Sequence, residues 1–336
     1  MNEIKSELSS KKKIGVLYLG IKGGGAVVTE ALCAEMVSAS YELTLLLNSQ
    51  NEILSKYKKL TLTNIFELEI PTGLVNLINP FNLFKCVFKV WRCLKKNNVK
   101  SLLIPMHHPY SVILIPFLRL CGIKVISGIH DFIPHEGDRK LLIKLANYFI
   151  IIFSSTILFF STNQLDAASK KLPIFSKKLR NIRLANDFQR SDSFLKPVKP
   201  SNDFIFFGRL EPYKGIKRLK EAWTVLIELD PKATILIRGN GPESEELKVL
   251  RNLPGVDCKI GYIDNSAIEK LMSEVKVIVA PYDSASQSGI TGIAASFGML
   301  AVTTPCEGFI EQAKYNERIQ IANNFLSSSF ANIMPE

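Results

Sequence analysis

The sequence predicts an α/β fold: parallel, doubly wound sheets in two halves arranged in series. Three observations predict it. Short apolar runs of strand length alternate with helix-like stretches along the chain, and that alternation marks βαβ units. It breaks once, at NDFQRSDSFLKPVKPSN over 186–202, a polar stretch with two prolines, and then restarts. With 336 residues the chain exceeds one core and suits two of roughly 150 residues each.

In order, KIGVLYLG reads as a buried strand, IKGGGA as its loop, VVTEALCAEMV as a helix and YELTLLLN as a second strand. SLLIPM, IKVISGI and TILFFS are further strands, separated by helical stretches such as YSVILIPFLRLCG. Past the polar stretch the strands are FIFFG, ATILIRG, VDCKIGY, VKVIVAPY and LAVTTP. Helices are expected from Gly215 to Leu229, up to LKVLRNL, over IEKLMSE and after VKVIVAPY. The expected domains are residues 1–190 and 200–318, with a cleft between them and a helical tail over 319–336.

One segment has nearly the length of a bilayer span. LANYFIIIFSSTILFFSTNQL, residues 145–165, carries no charge. The polar Ser-Ser-Thr inside it divides it into a helix end, a turn around Ser154 and Ser155, and a buried strand. MNEIKSELSSKKKIGVLYLG is expected to hold no signal peptide.

Hydrophobic residues at 47% and charged residues at 22% describe a globular chain rather than a disordered one. A formal charge of +11 favours anionic partners: nucleic acid, acidic headgroups or phosphorylated small molecules. No nucleic-acid-binding module accompanies the charge, so nucleic acid is not an expected partner. Cys33, Cys86, Cys93, Cys121, Cys258 and Cys306 are scattered without a C-x-x-C pair. That argues against a zinc ribbon or disulfide framework and suits a cytoplasmic location.

In open α/β sheets, ligands bind beyond the carboxyl ends of the strands. Gly208 ends FIFFG, so Arg209 and Lys214 lie on that edge, Lys214 beside the start of a helix whose free N–H groups favour an anion. A guanidinium can grip two phosphate oxygens while an ammonium adds a movable point charge, so the pair suits a diphosphate. Two solvated surface cations is the competing reading. Gly239, Asn240 and Gly241 follow a strand and allow close backbone approach. Ser286, Gln287, Ser288 and Gly289 stand at a helix start, where Ser288 is either a plain N-cap or part of a phosphate site.

The glycine loop GIKGGGA is not G-x-G-x-x-G, because Lys22 takes the middle glycine's place, and no acid ends LTLLLN. A nicotinamide dinucleotide is therefore not expected. Gly23, Gly24 and Gly25 permit either a tight turn or close approach of a sugar ring. All four histidines, His107, His108, His130 and His135, gather at two neighbouring strand ends, with Asp131 beside His130. A metal centre, contact with sugar hydroxyls, acid/base work and purely structural roles all remain open. FNLFKCVFKVWRCLKK reads as a basic amphipathic helix. Phe84, Phe88, Trp91 and Lys95 follow helical spacing, with Lys85, Lys89, Arg92 and Lys96 as a second stripe. It suits an anionic membrane surface or a crossover helix packed on the sheet.

Together these residues resemble the GT-B glycosyltransferases, and within them the retaining family 4 group that includes bacterial polysaccharide enzymes. The carriers are FFGRLEPYKGI, the ILIRGNGP loop, VIVAPY before a serine- and glycine-rich helix start, and FGMLAVTTPCEGFIEQ, in matching order over Phe204 to Gln312. The N-terminal glycine loop and the His-Asp motif agree. The resemblance implies two Rossmann-like domains facing across a cleft. It implies that Arg209 and Lys214 hold a donor diphosphate, that Ser288 and Gly289 give backbone contacts, and that Gly261 and Tyr262 lie near the base. Gly24, Asn240, Ser286 and Gln287 complete the expected donor site. His130 is expected beside the transferred sugar, with Gly23, His107, His108 and Asp131 on the acceptor side.

One departure is clear. The family's two glutamates, eight positions apart, are replaced here by Ala285 and Ile293, with Ser286 and Gln287 as possible compensation. No D-x-D occurs, so no metal or other cofactor is expected, and the cation pair would neutralise the leaving diphosphate. The implied activity is retaining transfer of a sugar from a UDP- or GDP-type nucleotide-sugar to a glycan acceptor. That acceptor would be lipid-linked, in cell-surface polysaccharide (O-antigen or capsule) synthesis at the inner membrane face. The alternatives are a metallohydrolase built on the four histidines and a non-catalytic GT-B-like binding subunit.

Overall fold

Strands whose residues are apolar on both sides need cover on both sides, and the chain meets that need twice. The computed structural model describes residues 12–71, 73, 79–133, 140–183 and 200–334. The chain divides into two compact units, one built from the described residues up to Ile133 and from Leu141 to Arg183, the other from Pro200 to Met334.

In the first unit β1 (Lys13–Tyr18), β2 (Glu42–Asn48), β3 (Thr63–Leu68), β4 (Ser101–Ile104), β5 (Lys124–Ile129), β6 (Thr156–Phe159) and β7 (Leu179–Asn181) make one parallel sheet. Its order is β3-β2-β1-β4-β5-β6-β7. Alternation along β1 sends Val16 and Tyr18 to one face, with Ala26 and Cys33 of the Gly24–Ser38 helix. Leu17 joins the other face, where the helices Pro80–Lys96, Ser111–Leu120 and Lys140–Phe153 contribute Val87, Val90, Leu114, Leu118, Ile150 and Ile151.

In the second unit β8 (Asn202–Arg209), β9 (Ile235–Asn240), β10 (Val256–Ile260), β11 (Val275–Ala280), β12 (Leu300–Thr303) and β13 (Ile319–Ile321) pair in parallel in the order β10-β9-β8-β11-β12-β13. The fully buried Trp223 of the Ile216–Leu229 helix anchors its core, with Nε1 donating to the Pro254 carbonyl at 3.0 Å. Each sheet reverses its order once, between β1 and β4 and between β8 and β11. Such a reversal opens a crevice beyond the strands' carboxyl ends.

Several expectations are refined. The apolar segment at 145–165 is the end of the Lys140–Phe153 helix, a turn at Ser154 and Ser155, and β6. Among the described residues no helix is long and apolar enough to cross a membrane. The expected linker lies, over 186–199, outside the described residues. The tail at 319–336 is not helical from its start: Ile319–Ile321 pairs with β12, because Ile-Gln-Ile offers two β-branched residues on one face. A helix follows only at Ser327–Ala331. The Pro80–Lys96 helix turns Cys86, Val87, Val90 and Leu94 to the sheet, leaving Phe81, Phe84 and Phe88 exposed.

The close of β8 on β9 depends on glycine. A Cβ on Gly239 would stand 1.8 Å from the Gly208 carbonyl oxygen, a backbone atom with no rotamer to yield. Gly239→Ala is therefore expected to destabilise the protein by more than about 2 kcal/mol. Gly24→Ala, where a Cβ meets nothing within 4 Å, is expected to melt like the parent; thermal unfolding of both variants is the check.

Candidate functional site

At the end of β8, Gly208 adopts φ +134, and Arg209 follows, exposed. Leu210 N–H donates to the Asn240 carbonyl at 2.9 Å, tying this end to β9. Residues Pro212–Lys214 form one 3₁₀ turn. It is held against the end of β11 in two ways. Asp283 N–H donates to the Tyr213 carbonyl at 2.8 Å. Gly215, at φ +75, passes so near Pro281 that a Cβ would lie 1.8 Å from the Pro281 carbonyl oxygen.

That approach puts the Lys214 ammonium 3.7 Å from the centroid of the Tyr282 ring and 5.1 Å from that of Tyr213. Arg209 Nη2 donates to the Tyr213 hydroxyl at 2.6 Å. The two cations thus meet on one tyrosine. Tyr282 is buried, and burial pushes its phenol up to about 12, with a Ser288 hydrogen bond and the Arg209 charge acting the other way. A neutral ring attracts an ammonium without cancelling its charge.

Beyond Tyr282 the chain turns into the Gly289–Phe297 helix, with Ser288 as N-cap. Ser286, Gln287 and Ser288 are all buried. Gln312 fixes this turn: its Nε2 donates to the Ser288 carbonyl at 3.1 Å, and Ser288 N–H donates to Gln312 Oε1 at 3.4 Å. Gly308 N–H donates to the Ala285 carbonyl at 3.0 Å, and only a glycine fits there, since a Cβ would come 2.5 Å from the Ser286 backbone. The Gln287 carboxamide is the exception. Both its oxygen and its nitrogen are buried without a hydrogen-bond partner among the described residues, a state that costs about 1–3 kcal/mol. Ala285 is buried and Ile293 packs against the core, so apolar contacts occupy both positions where glutamates were expected.

Arg209, Lys214 and Ser288 are therefore brought together, with Gly289 exposed at the helix start and Asn240 exposed on the adjoining strand end. Tyr262 follows β10, two strands from β8, and is also exposed; Gly261 N–H donates to the Gly239 carbonyl at 2.7 Å. Sequence reasoning missed Tyr213, Tyr282 and Gln312. The position of Tyr282 just past a strand was a usable signal, whereas nothing local distinguishes Gln312.

In the first unit the glycine loop follows β1 and the histidines follow β4 and β5, again at the order reversal. Gly23, at φ +91, donates its N–H to Glu52 Oε1 at 2.6 Å. Open space surrounds a Cβ at Gly23 or Gly24, while one at Gly25 would stand 2.9 Å from the Tyr18 hydroxyl. Both His107 ring nitrogens are buried and lack a partner among the described residues. Burial pushes its pKa down to about 4, the Gly128 backbone acting in the opposite sense without an aligned hydrogen bond. His108, also lowered to about 4 by burial, accepts from Tyr110 N–H at 3.3 Å through Nδ1. His130 Nδ1 lies 3.0 Å from Asp131 Oδ2. The histidines thus have different partners, and among the described residues no three His, Cys, Asp or Glu side chains are grouped to hold a metal ion. His135 lies outside the described residues.

Residues 201–334, which contain every element of the second-unit site, match the family model described as Glycosyl transferases group 1. No curated protein matches the chain. Among solved structures it is similar to Alr3699/HepE of Anabaena in complex with UDP and glucose, at 16% identity, covering 96% of this chain and 89% of that one with a TM-score of 0.69. Sucrose-phosphate synthase of Thermosynechococcus elongatus is 14% identical over 96% of this chain and 88% of its own, with a TM-score of 0.64. WaaG, a glycosyltransferase involved in lipopolysaccharide biosynthesis, is 13% identical over 96% of this chain and 89% of its own, with a TM-score of 0.59. The α/β fold with two parallel sheets is that of the GT-B glycosyltransferases.

The buried histidines give the fold a pH dependence. His107 binds its proton near pH 6.5 when unfolded but only near pH 4 when folded. Between those values the unfolded chain holds the extra proton, so stability is full above about pH 6.5 and falls as pH drops toward about 4. The loss attributable to His107 is expected to reach about 3 kcal/mol at most. Melting from pH 7.5 down to 4.5 should show the decline and His107→Gln should flatten it; superimposable profiles would refute the assignment.

Proposed function

We propose that this chain is a retaining glycosyltransferase that moves a sugar from a UDP- or GDP-type nucleotide-sugar to a lipid-linked glycan acceptor. The observation that carries it is the meeting of Arg209 and Lys214 on Tyr213, with the orphaned Gln287 carboxamide and the Ser288-capped helix on the next strand of the same crevice. Two neighbouring positive charges and a helix N-terminus suit a diphosphate. The family match over this region and the UDP bound by Alr3699/HepE support the same ligand class.

In this reading the anomeric bond breaks toward an oxocarbenium-like state while Arg209 and Lys214 absorb the charge developing on the leaving diphosphate. The cations thereby take the part that a divalent ion plays in enzymes built on carboxylates. The acceptor hydroxyl attacks from the leaving-group face and its proton passes to a phosphate oxygen. Ser286, Ser288, Gly289, Asn240 and Gly24 contact the donor, with Tyr262 toward the base. His130, oriented by Asp131, contacts the transferred sugar. Gly23, His107 and His108 serve the acceptor side, in synthesis of a cell-surface polysaccharide.

Ile293, half-buried against the core where the family resemblance implies a glutamate, favours a second reading: a subunit that binds the nucleotide without turning it over. Thermal-shift titration with UDP, GDP and their sugar conjugates, followed by donor turnover, separates the two. Binding with transfer or donor hydrolysis supports the first, binding alone the second, and no stabilisation by any nucleotide defeats both. Lys214→Ala and Arg209→Ala are each expected to lower turnover roughly a hundredfold or more; near-normal rates would overturn the mechanism. Gln287→Leu is expected to melt no lower than the parent yet be stabilised less by the nucleotide, because the orphaned amide serves the ligand and not the fold.

A further inference from the structure

The first unit carries a surface that the proposed chemistry does not use. The helices Pro80–Lys96, Ser111–Leu120 and Lys140–Phe153 cover one face of its sheet, their inner sides sharing one core. Trp91 and Phe117 join the first two edge to face, with ring centroids 6.4 Å apart. The outer sides of these helices carry large apolar side chains where water would favour polar ones. Phe81 is 83% exposed, Leu120 89% and Leu141 71%, with Phe84, Phe88 and Leu145 also exposed. Phe81, Phe84 and Phe88 recur at helical spacing opposite the buried Cys86, Val87, Val90 and Leu94. They are surplus to the packing of the sheet.

The charges interleaved with these side chains have one sign. Lys85, Lys89, Arg92 and Lys95 stand exposed on the first helix, Arg119 on the second and Lys144 on the third, and none of the three contains an Asp or Glu. Large apolar side chains interleaved with cations of one sign suit a surface that is negative outside and apolar beneath. A second copy of the chain would set these cations against themselves across a two-fold contact. A nucleic acid would leave Leu120, Leu141 and Leu145 in water.

We propose that this three-helix face docks on an anionic lipid bilayer, its Phe and Leu side chains entering the boundary between headgroups and acyl chains while Lys and Arg meet the phosphates. The surface belongs to the first unit alone and does not depend on the transferase reading. Docking of this kind would bring the chain to acceptors carried on lipid.

Flotation of the full chain with phosphatidylcholine vesicles, with and without roughly 30 mol% phosphatidylglycerol, is the test. Binding is expected to the anionic vesicles only, weakening as salt is raised. Phe81→Ser with Phe84→Ser should lower it about tenfold or more at an unchanged melting temperature. Lys85→Glu with Lys89→Glu should remove its salt dependence. Stabilisation by UDP should be the same in every variant, so failure of either proposal leaves the other readable. No binding to anionic vesicles, or equal binding by parent and variants, overturns the docking surface. So does concentration-dependent self-association that Phe81→Ser abolishes.

Discussion

The site of the second unit depends on one close approach, the passage of Gly215 beneath the Pro281 carbonyl. No other residue fits there, both because φ is positive and because the space is filled. The consequence runs outward from that point. The turn before Gly215 is pressed against the end of β11, the ammonium of Lys214 settles on a buried phenol, and the guanidinium of Arg209 reaches the same turn from β8. A lysine on a free loop would sample many positions; this one is delivered by backbone packing, which is the stiffest means the chain has.

Strand order then decides what else can join. Because β8 and β11 are neighbours, the loop after β11 reaches the cations without a long connection, and Gln312 and Gly308 hold that loop from behind. The same order reversal in the first unit gathers the glycine loop after β1 and the histidines after β4 and β5. Two sheets of the same winding thus create two crevices with different contents: one cationic, one holding the His107 and His108 imidazoles, which burial keeps neutral.

Much of this was legible in the sequence, for physical reasons. Central parallel strands are buried on both faces and so read as unbroken apolar runs, which is why β1, β2, β8 and β11 stood out. Edge strands lack that property. β3 has one buried residue among exposed and half-buried ones and β7 has only three residues, so neither announced itself, and β13 hid in an expected helical tail. On the Pro80–Lys96 helix the conspicuous aromatic residues drew attention, yet smaller ones face the sheet. Arg209 and Lys214 were found because strand ends carry ligands as a rule. Tyr282 and Gln312 act through partners that are distant in sequence, and no local pattern encodes such proximity.

The separation between the cation pair and Tyr262 carries a consequence for how such a protein could diversify. The grip on charge is built from backbone packing around Gly215 and Pro281, whereas the residue expected nearest the base stands on an exposed loop two strands away. Under the proposed reading, exchanging that loop would retarget the enzyme to a different nucleobase while leaving its hold on the phosphates untouched. Donor preference would then be an adjustable accessory on a fixed electrostatic engine.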